Sequence, residues 1–506
     1  MRENFIERVR GQLVPSVVSD AKVATGSLAS RVRSGVAWYM GARIGCVGLG
    51  ILTLPILARL LGPAAYGLMG LVSVVMLIGD IFSRTGFDGA LIARSSSVDE
   101  YLASFWSAEA LRGGAQCLIL MTLAYPTALF YRQPELTTLL IVASLSPLMR
   151  GLQSAGILNL HKGMSYRLVA LYEAIQAVSG ILLTLVLAFL WRNVWALLAG
   201  QLATAATAAL LSYYLAPVRP RFVFRPDHWR ELWRYGQWEM LGAVLYVLFH
   251  NGDDLFVGRM LGMQSLGLYR MAYRLGNTAS TEGVEAMRRV LFPAFASIQN
   301  DQARLRRGFI QFWEITSILG LAFLSTTYVA ADPLVRVVFG VKWEPMIPAF
   351  RVLVVWGGLE VLKTAVSSLF RSVNRPDRWT KILMLRVAVL ALLIYPLSMR
   401  WGIAGTSFAA LSAALFSLPL TVYWVSLSLN CSISHILAPL ILPLLACVGS
   451  LALGLFVEHA LSGAVQSYRL MGPTAVASLA FAAILFGGDM LFKTGLRARL
   501  FRVARW

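Results

Sequence analysis

The residues of this chain best placed to do chemistry are charges set inside long apolar runs. The cations Arg43, Arg84, Arg150, Arg270 and Arg274 stand among neighbours that are mostly hydrophobic, and so do the carboxylates Glu173, Glu239, Asp253, Asp254 and Glu314. Ionised groups are costly in hydrocarbon, so such positions mark a ligand, ion or proton path unless neighbours neutralise them. Arg270 and Arg274 are four apart and share a helix face, alongside Tyr269 and Tyr273. Guanidinium forks hold multi-oxygen anions bidentately and stay charged, and an aromatic ring beside them offers a stacking face.

The acids admit two readings. Adjacent Asp253 and Asp254 can take up a proton or a sodium ion, since burial and like-charge proximity disfavour the doubly ionised pair. Alternatively they pair with Arg259 or Arg270 and form a polar wall. Glu173, Glu239 and Glu314 are further embedded carboxylates able to couple to a gradient. Other charges are spaced for mutual neutralisation: Asp80, Arg84 and Asp88; Glu109 and Arg112; Glu285 with Arg288 and Arg289; Glu360 and Lys363.

The elements that carry these groups follow from composition. The chain has 506 residues, 58% hydrophobic and 14% charged, with a mean hydropathy of +0.67. Soluble domains carry about 25% charge, so this chain cannot cover its surface in water. At roughly 20 apolar residues per helical span, it holds about fourteen transmembrane helices and no large soluble catalytic domain. Continuous apolar runs, rather than alternation, exclude a membrane β-barrel. The four cysteines, Cys46, Cys117, Cys431 and Cys447, form no CxxC pair and suggest neither disulfides nor a metal site. No Walker lysine motif, HExxH or GxGxxG after a strand is present.

An even number of spans places both termini on one side. The loops and tails on that side hold 26 Lys and Arg against six on the other. Basic residues collect in the cytoplasm, so both termini are expected there. The bias also accounts for most of the net charge of +20 without nucleic acid. The organisation expected is a basic segment 1–34, a first lobe of six spans over 35–216 and a cytoplasmic linker 217–234. A second six-span lobe follows over 235–428, then two extra spans within 429–492 and a basic tail 493–506; the fourth span is expected over 136–158, the seventh and eighth over 235–261 and 265–298, and 331–344 is expected to be an extracytoplasmic loop. The linker places Phe222, Phe224, Trp229 and Trp233 among arginines, a composition suited to lying against the bilayer surface.

The two lobes are related by a sequence repeat at an offset of 200. Ala58-Arg59-Leu60-Leu61-Gly62-Pro63-Ala64-Ala65-Tyr66-Gly67-Leu68 matches Gly258-Arg259-Met260-Leu261-Gly262-Met263-Gln264-Ser265-Leu266-Gly267-Leu268 at five of eleven positions, and Trp38 matches Trp238. Both copies end the first span of a lobe, so the repeat is parallel. Such repeats place a substrate path at their interface near the bilayer midplane.

These segments resemble the Wzx-type polysaccharide flippases of the multidrug/oligosaccharidyl-lipid/polysaccharide exporter superfamily. The resemblance rests on 57–67, 254–262 and 266–274, then on Arg289-Val290-Leu291-Phe292-Pro293-Ala294-Phe295, Asn374-Arg375-Pro376 and Gly402-Ile403-Ala404-Gly405. It runs from about 33 to 430. It implies an all-α, V-shaped bundle of two lobes around a central cavity, in a bacterial inner membrane. It implies translocation of a polyprenyl-pyrophosphate-linked oligosaccharide for exopolysaccharide, O-antigen or capsule synthesis, without enzymatic chemistry. It also implies functional partners, a polymerase and a chain-length regulator. The expected substrate contacts are Arg43, Arg84, Arg150, Arg270, Arg274 and Tyr273. No cofactor is expected beyond possible H+ or Na+ coupling. Two other readings stay open: a membrane polymerase or glycosyltransferase, and an ion-coupled small-molecule exporter.

Overall fold

The structure, a computed structural model, describes residues 28–83, 102–157, 166–216, 251–278, 291, 294–461 and 466–492. Within these residues the chain is helical and contains no strand. In hydrocarbon each backbone N–H must be satisfied inside its own segment, which a helix achieves. The first lobe comprises α1 (Leu28–Ser83), α2 (Leu102–Tyr131), α3 (Glu135–Ala143), α4 (Leu145–Gly151), α5 (Tyr166–Trp191) and α6 (Val194–Leu215). The second comprises α7 (251–260), α8 (Met263–Gly276), α9 (Gln302–Leu334), α10 (Ile347–Ser372), α11 (Pro376–Phe416) and α12 (Leu418–Leu429). Two further helices follow, α13 (Ile433–Ala460) and α14 (Gln466–Phe492).

Nine helical stretches among the described residues are long and apolar enough to cross a membrane. Two of them are kinked and each cover two expected spans. One is α1, which breaks at Gly62 with φ 75°. The other runs over Pro376–Leu429, and α11 within it breaks at Trp401 and Gly402. Expected spans seven and eight reach into 235–250 and 279–290, outside the described residues, as does the linker 217–234.

Two local expectations are corrected. The fourth span, read as one helix over 136–158, is two short helices meeting at Ser144. Pro147 has no N–H to give Ala143, which releases the chain there. The segment 331–344, read as a loop, is helical: α9 passes into a π-helical turn Val335–Phe339, then a 3-10 helix Val341–Met346. Its side chains Val335, Phe339 and Trp343 are buried while Arg336, Val341 and Lys342 are exposed, so one face of this segment packs on the core.

One apolar core runs continuously through both lobes, with Leu71, Leu139, Leu266, Tyr269, Trp343 and Phe350 at its centre. A second lies within the second lobe around Phe309, Trp313, Phe370 and Ile382. Leu52, Leu118, Leu190, Leu392, Val448 and Phe456 point outward and are exposed. On spanning helices that outward apolar face is the one lipid covers.

Candidate functional site

The second half of α1, after its kink, lies against α8, and this seam builds the site. Gly62 and Gly262, partners in the sequence repeat, adopt nearly the same backbone, φ 75° and ψ 171° against φ 88° and ψ 171°. A residue without Cβ takes this left-handed turn without steric cost. Each turn launches a helix whose residues at three- and four-residue spacing face the other lobe.

Between them lies a cavity of about 520 Å³, within the usual range for ligand sites. The first helix contributes Tyr66, Gly70 and Ser73, α7 contributes Asn251, Asp253 and Asp254, and α8 contributes Arg270, Tyr273, Arg274 and Asn277. Arg270 donates from Nη1 to Asp254 Oδ2 at 2.9 Å and to the Gly70 carbonyl at 3.0 Å. Gly70 leaves room for that arm, since a Cβ there would sit 2.4 Å from Arg270 Cδ. The Tyr269 hydroxyl donates to Asp253 Oδ2 at 2.6 Å, and the Asp254 N–H donates to Asp253 Oδ1 at 3.0 Å. Tyr273 is braced between Tyr269 and Trp356, with ring centroids 6.2 and 5.1 Å away.

Among the described residues the formal charges of the cavity wall cancel, with two carboxylates against two arginines. Their placement does not. Arg270 is spent on Asp254, whereas no carboxylate among the described residues forms an ion pair with Arg274, which is exposed on the cavity wall. The wall therefore offers one uncommitted guanidinium beside aromatic rings and amide side chains.

At the end where α7 turns into α8, the seam is shut. An added Cβ on Gly67 would lie 1.8 Å from the Met263 carbonyl oxygen, and one on Gly267 would lie 1.8 Å from the Pro63 carbonyl oxygen. The lobes touch there backbone to backbone. Arg59 reaches across with Nε donating to the Val338 carbonyl at 2.9 Å and Nη2 donating to that of Val337. The Trp343 indole N–H donates to the Ala58 carbonyl at 3.0 Å, and its ring meets Tyr66 edge-on at 5.4 Å. Arg259, the repeat counterpart of Arg59, lies over the Phe130 ring at 5.2 Å. Each lobe's first helix thus places the arginine of the repeated motif on the other lobe.

Of the residues singled out in sequence, the structure brings Asp253, Asp254, Arg270, Tyr273 and Arg274 into one cavity. Arg43 and Arg150 are exposed on α1 and at the end of α4, away from it. Glu173, on α5, accepts from the Tyr39 hydroxyl at 3.2 Å. Glu314 is buried within α9. Arg84 and Glu239 lie outside the described residues. The spacing-based pairs also gained members from other helices. Arg112 binds Glu109 and also Asp80 at 3.0 Å. Lys363 binds Glu360 at 2.9 Å, and Arg386 joins the same carboxylate from α11. Sequence reasoning passed over Tyr66, Arg59 and Trp343. The first two stand in the repeated motif, which was their available signal.

Comparison with known proteins bears on this arrangement. The profile of a family described as "Polysaccharide biosynthesis protein" matches residues 56–348, more than half of the chain. The chain is 26% identical over 359 residues to the lipopolysaccharide biosynthesis protein WzxC of Escherichia coli (strain K12), covering 69% of this chain and 72% of that one. It is also 26% identical over 332 residues to the succinoglycan biosynthesis transport protein ExoT of Rhizobium meliloti (strain 1021), covering 65% and 67%. Among solved structures, the lipid II flippase MurJ in an inward closed conformation superposes with a TM-score of 0.69 at 14% identity, over 90% of this chain and 98% of that chain. That likeness concerns the fold. The family match begins just before the kink at Gly62 and spans both copies of the repeat that makes the seam, so this multi-pass membrane protein belongs to the polysaccharide biosynthesis protein family.

Proposed function

We propose that this protein is a flippase of a bacterial inner membrane. It moves polyprenyl-pyrophosphate-linked oligosaccharide units from the cytoplasmic to the periplasmic leaflet by alternating access, without making or breaking covalent bonds. The observation that carries this reading is the uncommitted Arg274 in a cavity between two repeated lobes, closed at one end by the Gly67–Gly267 contact. The distribution of basic residues supports a periplasmic position for that closed end, and on this reading the cavity is loaded from the cytoplasm. A pyrophosphate dianion suits a free guanidinium fork, Tyr273 offers a face to a sugar, and the lipid tail stays in the bilayer. The names of the relatives, a lipopolysaccharide biosynthesis protein and a succinoglycan biosynthesis transport protein, support this substrate class.

Directionality is assigned to H+ or Na+ binding at Asp253 and Asp254, or to removal of product by a partner polymerase working with a chain-length regulator. The test is the leaflet position of the lipid-linked oligosaccharide in depleted cells, probed in spheroplasts with an impermeant sugar-modifying enzyme. Accumulation on the inner side, reproduced by Arg274→Ala, is the expected result. Arrival of unpolymerised units at the outer face would remove the flippase assignment and favour a polymerase.

A further inference from the structure

Tyr66 belongs at once to the cavity and to the closed seam. It lines the cavity wall together with Arg274. On its other side its ring rests edge-on against Trp343, whose indole holds the Ala58 carbonyl next to the Arg59 latch. Its neighbour Gly67 makes the backbone contact with the second lobe. The Tyr66 hydroxyl is fully enclosed and has no hydrogen-bond partner among the described residues. Its repeat counterpart is Leu266, fully buried and apolar. A leucine fills the matching place in the second lobe, so the fold does not require a hydroxyl at this point.

An enclosed hydroxyl without a partner penalises the state that encloses it. In the seam-closed state this phenol is such a group, and it shares the cavity wall with Arg274, which pairs with no carboxylate among the described residues. On the reading that the cavity takes a pyrophosphate head group, we infer that Tyr66 couples head-group binding to opening of the outer seam. Its hydroxyl is unsatisfied while the seam is shut and empty. It gains a phosphate oxygen as acceptor when the seam rearranges around the head group held by Arg274. A ligand shifts a conformational equilibrium only by binding the two states unequally. The Tyr66 hydroxyl supplies such a difference, because its hydrogen bond exists in one state alone. In this role Tyr66 touches the head group on one side and on the other links the cavity, through Trp343, to the latch.

The consequence is counter-intuitive, and a purely structural role does not predict it. Tyr66→Phe deletes only the enclosed oxygen, so it tightens the empty, closed seam instead of loosening it. The experiment uses the full chain in lipid nanodiscs, with the four native cysteines replaced and Met263→Cys as reporter. Met263 is buried at the glycine crossing, so its labelling by a charged thiol reagent reads seam opening. The probe is undecaprenyl pyrophosphate carrying one N-acetylglucosamine. The parent is expected to label slowly when empty and faster with the probe. Tyr66→Phe is expected to label about tenfold more slowly when empty, equivalent to about 1.4 kcal/mol, and to lose the probe-dependent rise. Trp343→Phe keeps a ring under Tyr66 but removes the donor to Ala58, and is expected to label faster when empty. Unchanged or faster empty labelling of Tyr66→Phe, or a full probe response in it, overturns the inference. A parent whose labelling ignores the probe, while Tyr66→Phe still labels more slowly when empty, overturns the substrate reading instead.

Discussion

Gly67 and Gly267, two hundred residues apart in sequence, sit so close that neither tolerates a Cβ. Each would press that atom to 1.8 Å from a carbonyl oxygen of the other lobe, Met263 for the first and Pro63 for the second. The contact is reciprocal because the lobes repeat. It brings two helix backbones together, and a close backbone approach makes a seam that either holds or parts.

Gly67→Ala is therefore expected to force the seam apart. Overpacking a close contact costs about 1–3 kcal/mol, and the cost falls on the closed state. Gly267→Ala is expected to act equally, as the mirror position. Both variants are expected to raise external labelling of a cysteine at Met263 in spheroplasts. If one variant raises labelling and the other is silent, the contact is not the reciprocal one described.

The two latch arginines are expected to differ in strength. Arg59 is exposed and donates two hydrogen bonds, to the Val337 and Val338 carbonyls, each worth about 1 kcal/mol net. Arg259 makes a cation–π contact with Phe130, worth about 0.5–1 kcal/mol at an exposed site. Arg59→Ala is expected to increase seam labelling severalfold and Arg259→Ala much less. Arg59→Lys is expected to behave like Arg59→Ala, since an ammonium cannot span both carbonyls as a fork does.

Arg270 and Arg274 are one helical turn apart yet are expected to fail in different assays. Arg274→Ala is expected to leave thermal stability near the parent value and to reduce translocation by at least about tenfold, the loss of one charge-assisted contact. Arg270→Ala strands Asp254 beside Asp253 and frees the Gly70 carbonyl. It is expected to lower the melting temperature as well as transport. Thermal denaturation in detergent, run beside the leaflet assay, separates the two.

Glu360 is clamped between Lys363 and Arg386, whose side chains are only 3% and 5% exposed. Removing the shared carboxylate leaves two buried cations facing each other, a change that typically costs about 3–5 kcal/mol. Glu360→Gln is expected to lower stability sharply. Replacing all three residues by apolar ones of similar volume is expected to restore most of it. Thermal unfolding of the single and triple variants checks both.

Much of this protein was legible before its structure. Hydropathy reports spanning helices directly, because hydrocarbon forces each segment to satisfy its own backbone. The repeat at 58–68 and 258–268 announced two lobes, and the structure gives Gly62 and Gly262 the same backbone turn. Four-residue spacing put Arg270 and Arg274 on one face, and both line the cavity. Two helical segments were misread: Ser144 interrupts the fourth span, and 331–344 is helical with one face packed on the core. Hydropathy averages over a window and does not register one proline or one buried turn.

What sequence alone determined is therefore the class, the repeat and the set of embedded charges, all consequences of local composition in a bilayer. What only the tertiary structure decided is how those charges are shared out. Arg112 takes Asp80 from another helix, Arg386 joins Glu360 across 26 residues, and Arg270 takes Asp254 while Arg274 is left to the cavity. The reason is geometric. An ion pair forms at about 3 Å, and which side chains come that close across helices depends on where backbones cross. Those crossings are set by contacts such as Gly67 on Gly267, which no spacing along the chain records.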